Sequence, residues 1–366
     1  MIHLQSRQNS YAALLQNRRN FFLLLAGLLL ILLLSVLIAV SLGTIQIAPI
    51  ETYHIMVYKL FQLDIGNVAT QVSPAHIEII WNIRLPRILL AMIAGSGLAL
   101  CGTVMQASVQ NPLADPYILG ISAGASLGAT FAILMGSFGP TGIWGTAIGA
   151  FTGALAAAGL VMALSGIGGK SSTIKMILAG MIANALFSAF SGFIIYLANN
   201  ADGIRSIAFW TMGSLAAAKW KTLAFPGLVI LMSCVYFMAN TRKLNAMLLG
   251  EEAATALGVD SSKIRRNNML MTALITGLVV ATCGIIGFVG LIIPHLVRGM
   301  FGSDHSRLIP TSIIIGALFL IWADVLARIL LPSGELPIGI ITALIGAPFF
   351  MYVLLKSSVG FGRVGG

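Results

Sequence analysis

The stretch from 84 to 128, RLPRILLAMIAGSGLALCGTVMQASVQNPLADPYILGISAGASLG, decides the fold of this chain. It begins with Arg84 and Arg87 around a proline and continues as an apolar run rich in small residues. A short polar segment, which contains Pro112 and Pro116, separates this run from a second apolar run with many glycines. The pattern predicts two closely packed membrane helices joined by a short loop, and we expect this hairpin near the centre of the protein.

The composition indicates a membrane protein. Of 366 residues, 58% are hydrophobic and 9% are charged, and the mean hydropathy is +0.97, whereas soluble domains carry about 25% charged residues. The apolar runs are nearly continuous, as in membrane helices, and lack the alternation of barrel strands. The formal net charge of +10 comes from basic residues scattered between these runs, which favours topology determinants over a nucleic-acid surface. The sequence therefore predicts an all-α polytopic membrane protein.

About ten apolar runs are long enough to be candidate spans. They cover 21–42, 84–107, 118–136, 141–165, 174–198, 222–240, 268–283, 285–300, 308–331 and 338–355. Lysine and arginine are more numerous on the side that would hold both termini, which predicts that both termini are cytoplasmic. We expect a cytoplasmic extension at 1–19, one transmembrane domain at 20–358 and a cytoplasmic tail at 359–366.

Glycines recur at intervals of four on single helix faces. The spaced sets are Gly120, Gly124 and Gly128, and Gly145, Gly149 and Gly153. Such stripes let helix backbones approach closely in lipid. We interpret them as packing within one subunit, with a subunit interface or a pathway wall as alternatives. The three cysteines have no CxxC spacing and predict neither a disulfide framework nor a zinc site.

One polar stretch, at about 245–265, has the pattern of short cytoplasmic helices. Gly250 is suited to an N-cap, Glu251 and Glu252 complement the positive end of the helix dipole, and Gly258 can end the helix. A short helix parallel to the membrane and exposed to a cytoplasmic partner fits this pattern. A solvated connector helix is the alternative.

A series of motifs runs along the chain from about Arg84 to Lys356. They are Arg84-Leu-Pro-Arg87, Gly95–Gly102, Met105-Gln106, Asn111-Pro-Leu-Ala-Asp-Pro116, Leu119-Gly120, Gly250-Glu251, Ala256-Leu257-Gly258, the segment from Gly287 to His295, Ala323-Asp324 with Arg328, Glu335 to Gly339, and Gly346-Ala-Pro348. In this order the motifs resemble those of the FecCD-type permeases, the membrane subunits of ATP-driven importers for iron–siderophore complexes, haem and cobalamin.

The resemblance implies a type II importer permease fold in a bacterial cell membrane. It implies a second permease subunit, identical or paralogous, two cytoplasmic ATPase subunits that bind ATP-Mg, and an extracytoplasmic binding protein. The chain itself would be a transport subunit without a cofactor, not an enzyme. Ferric siderophore is the first expectation for the substrate, with haem or cobalamin as alternatives.

The resemblance also implies roles for particular residues. The predicted binding-protein contacts are Arg84, Arg87 and Arg328, and the predicted cytoplasmic gate comprises Asn111, Leu113 and Thr173. The predicted ATPase-coupling residues are Leu248, Leu249, Gly250, Glu251, Glu252, Ala256, Leu257 and Gly258.

Structural alternatives exist for the arginines and for the gate loop. The arginines could merely snorkel at helix ends, with Asp324 neutralising Arg328 at i, i+4 spacing. The gate loop could be a plain turn capped by Asn111.

An ion-coupled secondary transporter is the alternative from another class. Such a carrier usually places ionisable residues at the bilayer midplane. Asp115 falls in a loop, whereas Asp324 and Glu335 lie towards the predicted outer end, so no acid pair is expected at mid-span. His295 follows Pro294 in an apolar run and is interpreted as a structural residue, not as an iron or haem ligand.

Overall fold

The computed structural model describes residues 18–136, 143–167, 173–331 and 334–361. Within these ranges the chain forms helices and no strands, which confirms the all-α prediction. The helices are α1 (Arg18–Ser41), α2 (Pro49–Phe61), α3 (Val68–Gln71), α4 (Pro74–Ser108), α5 (Ile121–Met135), α6 (Ile143–Gly166), α7 (Thr173–Leu197), α8 (Ala201–Thr211), α9 (Trp220–Ala239), α10 (Thr241–Leu248), α11 (Glu251–Ala256), α12 (Ser261–Cys283), α13 (Val289–Phe301), α14 (His305–Ile329) and α15 (Ile338–Phe361).

A helix lies at each predicted apolar run. Six helices in the described ranges are long and apolar enough to cross a membrane, namely α1, α4, α6, α7, α9 and α14. The shorter apolar helices include α5 and α13. The number of spans and the side of the termini stay predictions.

Helix α4 begins at Pro74, well before the apolar run at Arg84. Proline suits the first turn of a helix because the first amides have no intrahelical partner. A π-helical turn at Ile79–Arg84 then continues the helix into the apolar run. Most of the predicted N-terminal extension and the end of the predicted tail lie outside the described residues, and α15 includes the tail residues up to Phe361.

Helix α4 is the buried centre of the molecule, as expected for the first helix of the hairpin. In its most apolar window 83% of the residues are buried, compared with 22% in α1 and in α7. It packs against α9, α12, α13 and α14. The predicted close packing between the two helices of the hairpin is wrong, because α5 packs mainly against α6 and α7 and not against α4. Because α4 has protein on nearly all sides, its residues are constrained by packing on every face and not along one stripe.

Backbone contact between glycines brings α4 close to its neighbours. Gly95 of α4 faces Gly316 of α14, and Gly102 faces Gly290 of α13. A Cβ atom at Gly95 or Gly102 would overlap the backbone of the facing glycine. Small residues are therefore required at these crossings, where lipid provides no hydrophobic drive for helix association.

The glycine stripes of α5 and α6 pack against each other. Gly124 contacts the backbone of Gly153, and Gly128 contacts that of Gly149. Gly120, which precedes α5 and has a φ of +70°, packs instead against α7. The prediction that these stripes mediate packing within one subunit is confirmed for the α5–α6 pair.

The Gly102 contact gives a direct test of this packing. Gly102→Ala should destabilise the permease by about 1–3 kcal/mol, because an added methyl group forces packed backbones apart. The matched control is Gly159→Ala in α6, where a Cβ meets nothing within 4 Å and alanine is the better helix former. Thermal unfolding of both variants in one detergent measures the difference. Equal unfolding temperatures for the two variants would contradict close packing at Gly102.

Candidate functional site

The predicted functional residues gather at the two ends of the α4 run that begins at Arg84. We call the end with Arg84, Arg87 and Arg328 the arginine end. We call the opposite end the loop end; it contains the loop after Ser108 and the helices α10 and α11.

At the arginine end, two arginines bind the last carbonyl groups of α1. Arg84 donates to the carbonyl oxygens of Val40, at 3.1 Å, and Ser41, at 2.8 Å. Arg328 donates to the carbonyl oxygens of Ala39, at 3.0 Å, and Leu42, at 2.7 Å. The final carbonyls of a helix lack intrahelical donors and carry the negative end of its dipole. The two guanidinium groups supply both the donors and the opposite charge.

A buried carboxylate joins two of these arginines. Asp324, which is fully buried, accepts a hydrogen bond from Arg87 Nε at 2.8 Å and lies 3.0 Å from Arg328 Nε. Arg87 Nη1 also donates to Glu335 at 2.6 Å. The expected i, i+4 pair between Asp324 and Arg328 is confirmed. The pairing of Arg87 with both acids links α4, α14 and the loop before α15.

The three arginines at this end are buried and do not form a solvent-exposed ring of charges. Arg84, Arg87 and Arg328 are between 4% and 6% exposed, whereas the Glu335 side chain is 43% exposed. The arginines therefore clamp helix ends together within the subunit. Their direct contact with a binding protein stays a prediction, and Glu335 is the partner in this cluster that solvent reaches most readily.

At the loop end, the predicted gate loop has a defined local structure. Gln110 adopts a left-handed conformation with φ +53°. The side-chain oxygen of Asn111 then accepts a hydrogen bond from the amide of Leu113 at 2.9 Å. This Asx turn leaves Leu113 exposed. The expected cap by Asn111 is confirmed, and the exposed leucine fits both a gate and a plain turn.

Thr173 lies on a different element. It is the first residue of α7 and is half-buried. The one-turn helix Pro116–Leu119, which follows the gate loop, packs against α7. The loop and α7 are thus neighbours, whereas the inclusion of Thr173 in a gate stays a prediction.

The predicted coupling segment consists of two short helices, α10 and α11. Gly250 is the N-cap of α11, with φ +102°. The amides of Gly258 and Val259 donate to the carbonyls of Thr255 and Ala254, respectively, and Gly258 has φ +77°. This is a Schellman motif, which ends a helix at a left-handed glycine. The predicted start and end of this helix are confirmed.

Most side chains predicted to couple to an ATPase lie on the surface. The exposed ones are Leu248, Leu249, Glu251, Glu252, Ala256, Leu257 and Gly258, and Gly250 is half-buried. Glu251 also points back to the protein, where its carboxylate lies 3.3 Å from Arg265. Exposed leucines next to polar residues are typical of a protein-binding surface.

A polar cluster holds α10 against the start of α14. Asn245 accepts hydrogen bonds at its side-chain oxygen from the amide of His305 and donates to Asp304 at 2.7 Å. Partial burial favours a higher pKa for Asp304, but hydrogen bonds from Ser306 and Asn245 and the charge of Arg307 lower its pKa below the usual value. Asp304 therefore stays ionised as the N-cap of α14.

Sequence reasoning missed several of these partners. Arg265, Gln110 and Asn245 do not belong to any recognised motif. The one sequence feature that indicates a buried role for Arg265 is its position just before an apolar run. No cluster of His, Cys, Asp or Glu in the described part of the chain could hold a metal ion. His295 packs against the rings of Phe349 and Phe350, as expected for a structural residue.

Residues 30–356 match the model of the FecCD transport family. The chain belongs to the FecCD transport family. It is 39% identical over 292 residues to the hemin transport system permease protein of Yersinia pestis, covering 79% of this chain and 86% of that protein. It is 40% identical to the cobalamin import system permease protein of Halobacterium salinarum, covering 77% and 74%, and 37% identical to the molybdate import system permease protein of Haemophilus influenzae, covering 83% and 90%.

A solved structure supports the same assignment. The structure, described as an inward-facing conformation of an ABC transporter assigned to the metal-chelate type, matches with a TM-score of 0.79 and 33% identity, covering 91% of this chain and 99% of that one. This FecCD-family chain is an integral membrane permease of an ABC importer. It is not an enzyme, because separate ATPase subunits hydrolyse ATP. Membership of the family decides against the ion-coupled carrier.

The arginine end gives a test that separates clamping from docking. Arg328→Met should destabilise the permease by about 3–5 kcal/mol, the usual cost of removing one partner of a buried ion pair. Arg205→Met, at an exposed arginine, is the control and should change stability by less than about 1 kcal/mol. Thermal unfolding and binding-protein affinity are measured for both. Lost affinity with unchanged unfolding would contradict the clamp and support a direct docking contact.

Proposed function

We propose that this permease transports a metal chelate from an extracytoplasmic binding protein to the cytoplasm. The observation that carries the proposal is the near full-length match to the transporter of the metal-chelate type.

A more specific question is which metal chelate the permease transports. Ferric siderophore is the sequence-based prediction. The relatives named for hemin and cobalamin support a metal chelate as a class, whereas the relative named for molybdate import takes an oxyanion, which is not a chelate. Because the binding protein captures the substrate first, the choice among these compounds is expected to lie largely outside this chain.

We infer that the binding protein docks at the arginine end. Glu335 and the ends of α4 and α14 form its surface there, and the buried arginines hold these ends in register. Arg87 donates to Glu335, whose side chain is 43% exposed. An acidic group of the binding protein therefore meets Glu335 first and approaches Arg87 only if Glu335 moves.

The loop end is the proposed site of the ATPases and of the gate. The exposed Leu249 and Leu257 would contact an ATPase subunit, with Glu252 as a polar neighbour. Asn111 and Leu113, with Thr173 beside them on α7, would form the gate. A second permease subunit, a copy or a paralogue, would complete the pathway, and each permease would bind one ATPase that carries ATP-Mg.

Uptake by the reconstituted importer tests the proposal. The permease, its ATPase and its binding protein are placed in proteoliposomes and offered a ferric siderophore, hemin, cobalamin or molybdate. We expect uptake of one of the three chelates that requires ATP and the binding protein and persists after the proton gradient is collapsed. Omission of the ATPase is the control. Selective uptake of molybdate would contradict the chelate proposal, and uptake without ATP would contradict the driving force.

A further inference from the structure

Arg265 occupies an unusual position near the start of α12. It is 1% exposed and is one of the largest fully buried side chains in the described part of the protein. Its exposed neighbour in sequence, Arg266, shows that burial here is specific to one position. Burying an arginine is unfavourable unless its donors are bonded. The partners of Arg265 therefore indicate its function.

Two partners of Arg265 lie on different elements. Its Nε donates to the carbonyl oxygen of Ser108, the last residue of α4, at 3.2 Å. Its Nη2 donates to the carboxylate of Glu251, the first residue of α11, at 3.3 Å. One guanidinium group thus connects the end of the central helix with the surface helix that faces the proposed ATPase.

Further bonds strengthen the connection at the end of α4. Asn268, also on α12, donates to Ser108 Oγ at 2.9 Å, and Ser108 Oγ donates to the carbonyl oxygen of Val104 at 2.7 Å. Gln110 donates from its side-chain amide to the carbonyl oxygen of Met247 in α10 at 2.7 Å. Both short surface helices are therefore hydrogen-bonded, directly or through Arg265, to the segment that ends α4.

The proposed gate follows this segment without a break. The amide of Asn111 donates to the carbonyl oxygen of Gln106, and the side chain of Asn111 fixes the amide of Leu113. No flexible spacer separates Gln110 from the turn that presents Leu113. A displacement of α10 and α11 would therefore be passed through these bonds to the turn.

We infer that Arg265 is a positioning residue that couples movement of the ATPase-facing helices to the loop of Leu113. The inference rests on the proposed function, since it assumes an ATPase at α10–α11 and a gate at Leu113. The coupling depends on the hydrogen bonds from Arg265 to Ser108 and Glu251. The hydrogen bond from Gln110 to Met247 is a second connection between α10 and the loop. Arg265 contacts neither nucleotide nor substrate in this arrangement.

The test compares Arg265→Met and Arg265→Lys with the matched control Arg266→Met in the assembled importer. ATP hydrolysis and the uptake of a ferric siderophore, hemin or cobalamin, whichever the unmodified importer takes up, are measured together in proteoliposomes. The substrate transported per ATP should fall about tenfold in Arg265→Met, as expected when a charge-assisted hydrogen bond that favours one of two states is lost. Arg265→Lys, which keeps the charge near Glu251, should fall less, and Arg266→Met should match the unmodified importer.

A second variant keeps the inference testable if Arg265→Met does not assemble. Gln110→Asn is suited to the left-handed backbone but is too short to reach Met247, so transport per ATP should fall while ATP hydrolysis persists. An unchanged ratio in whichever of these variants assembles would overturn the inference. Failure of the proposed function is distinguishable, because the unmodified importer would then show no ATP-dependent uptake of a metal chelate.

Discussion

The backbone contacts around α4 are the constraint on which the rest of the structure depends. Gly95 and Gly102 bring α14 and α13 against the central helix. In lipid this association relies on close packing, because the surrounding solvent is as apolar as the side chains. With these crossings fixed, the ends of α4 have fixed neighbours, and the polar groups needed for transport can be placed at both ends.

Polar groups then secure the two ends of the bundle in different ways. Helix α14 contributes polar groups to both ends of the bundle. Asp304 caps the start of α14 beside α10, and Asp324 pairs with Arg87 near the other end of α14. At the arginine end, the three arginines are buried and donate to backbone carbonyls or to carboxylates. At the loop end, bonds pass through Ser108 and Arg265 to exposed helices. This asymmetry suits a protein that receives its substrate at one end and is driven from the other.

The sequence predicted the elements better than it predicted their partners. The apolar runs and the helix from Gly250 to Gly258 follow from local patterns, because hydrophobic length and glycine position act within a few residues. The close packing predicted for the hairpin is wrong, because α4 and α5 meet other helices. The bonds from Arg84 to the end of α1 join residues more than forty positions apart, and no local pattern encodes them. The family resemblance identified Arg84 and Arg328 as residues of interest, but it did not predict that their guanidinium groups are buried.

Other features depend on tertiary contacts that a single sequence does not reveal. Phe288 adopts a left-handed backbone with φ +69° beside Gly346 of α15, although aromatic residues rarely do so. Arg265 reads as one of several basic residues in a cytoplasmic segment, and only its burial against Ser108 separates it from Arg266. The burial and the partners of charged residues were thus the features that the sequence predicted least well, because they depend on distant groups in the folded chain.

If Arg265 and Gln110 couple α10 and α11 to the loop of Leu113, these three segments move as one body. Spin labels at positions 113 and 257, with a third exposed position at 155 on α6 as reference, measure this directly in the assembled importer. We expect the distance between 113 and 257 within one subunit to stay constant between the nucleotide-free and ATP-bound states, while both distances to 155 change. A change between 113 and 257, with 113 fixed relative to 155, would contradict this coupling.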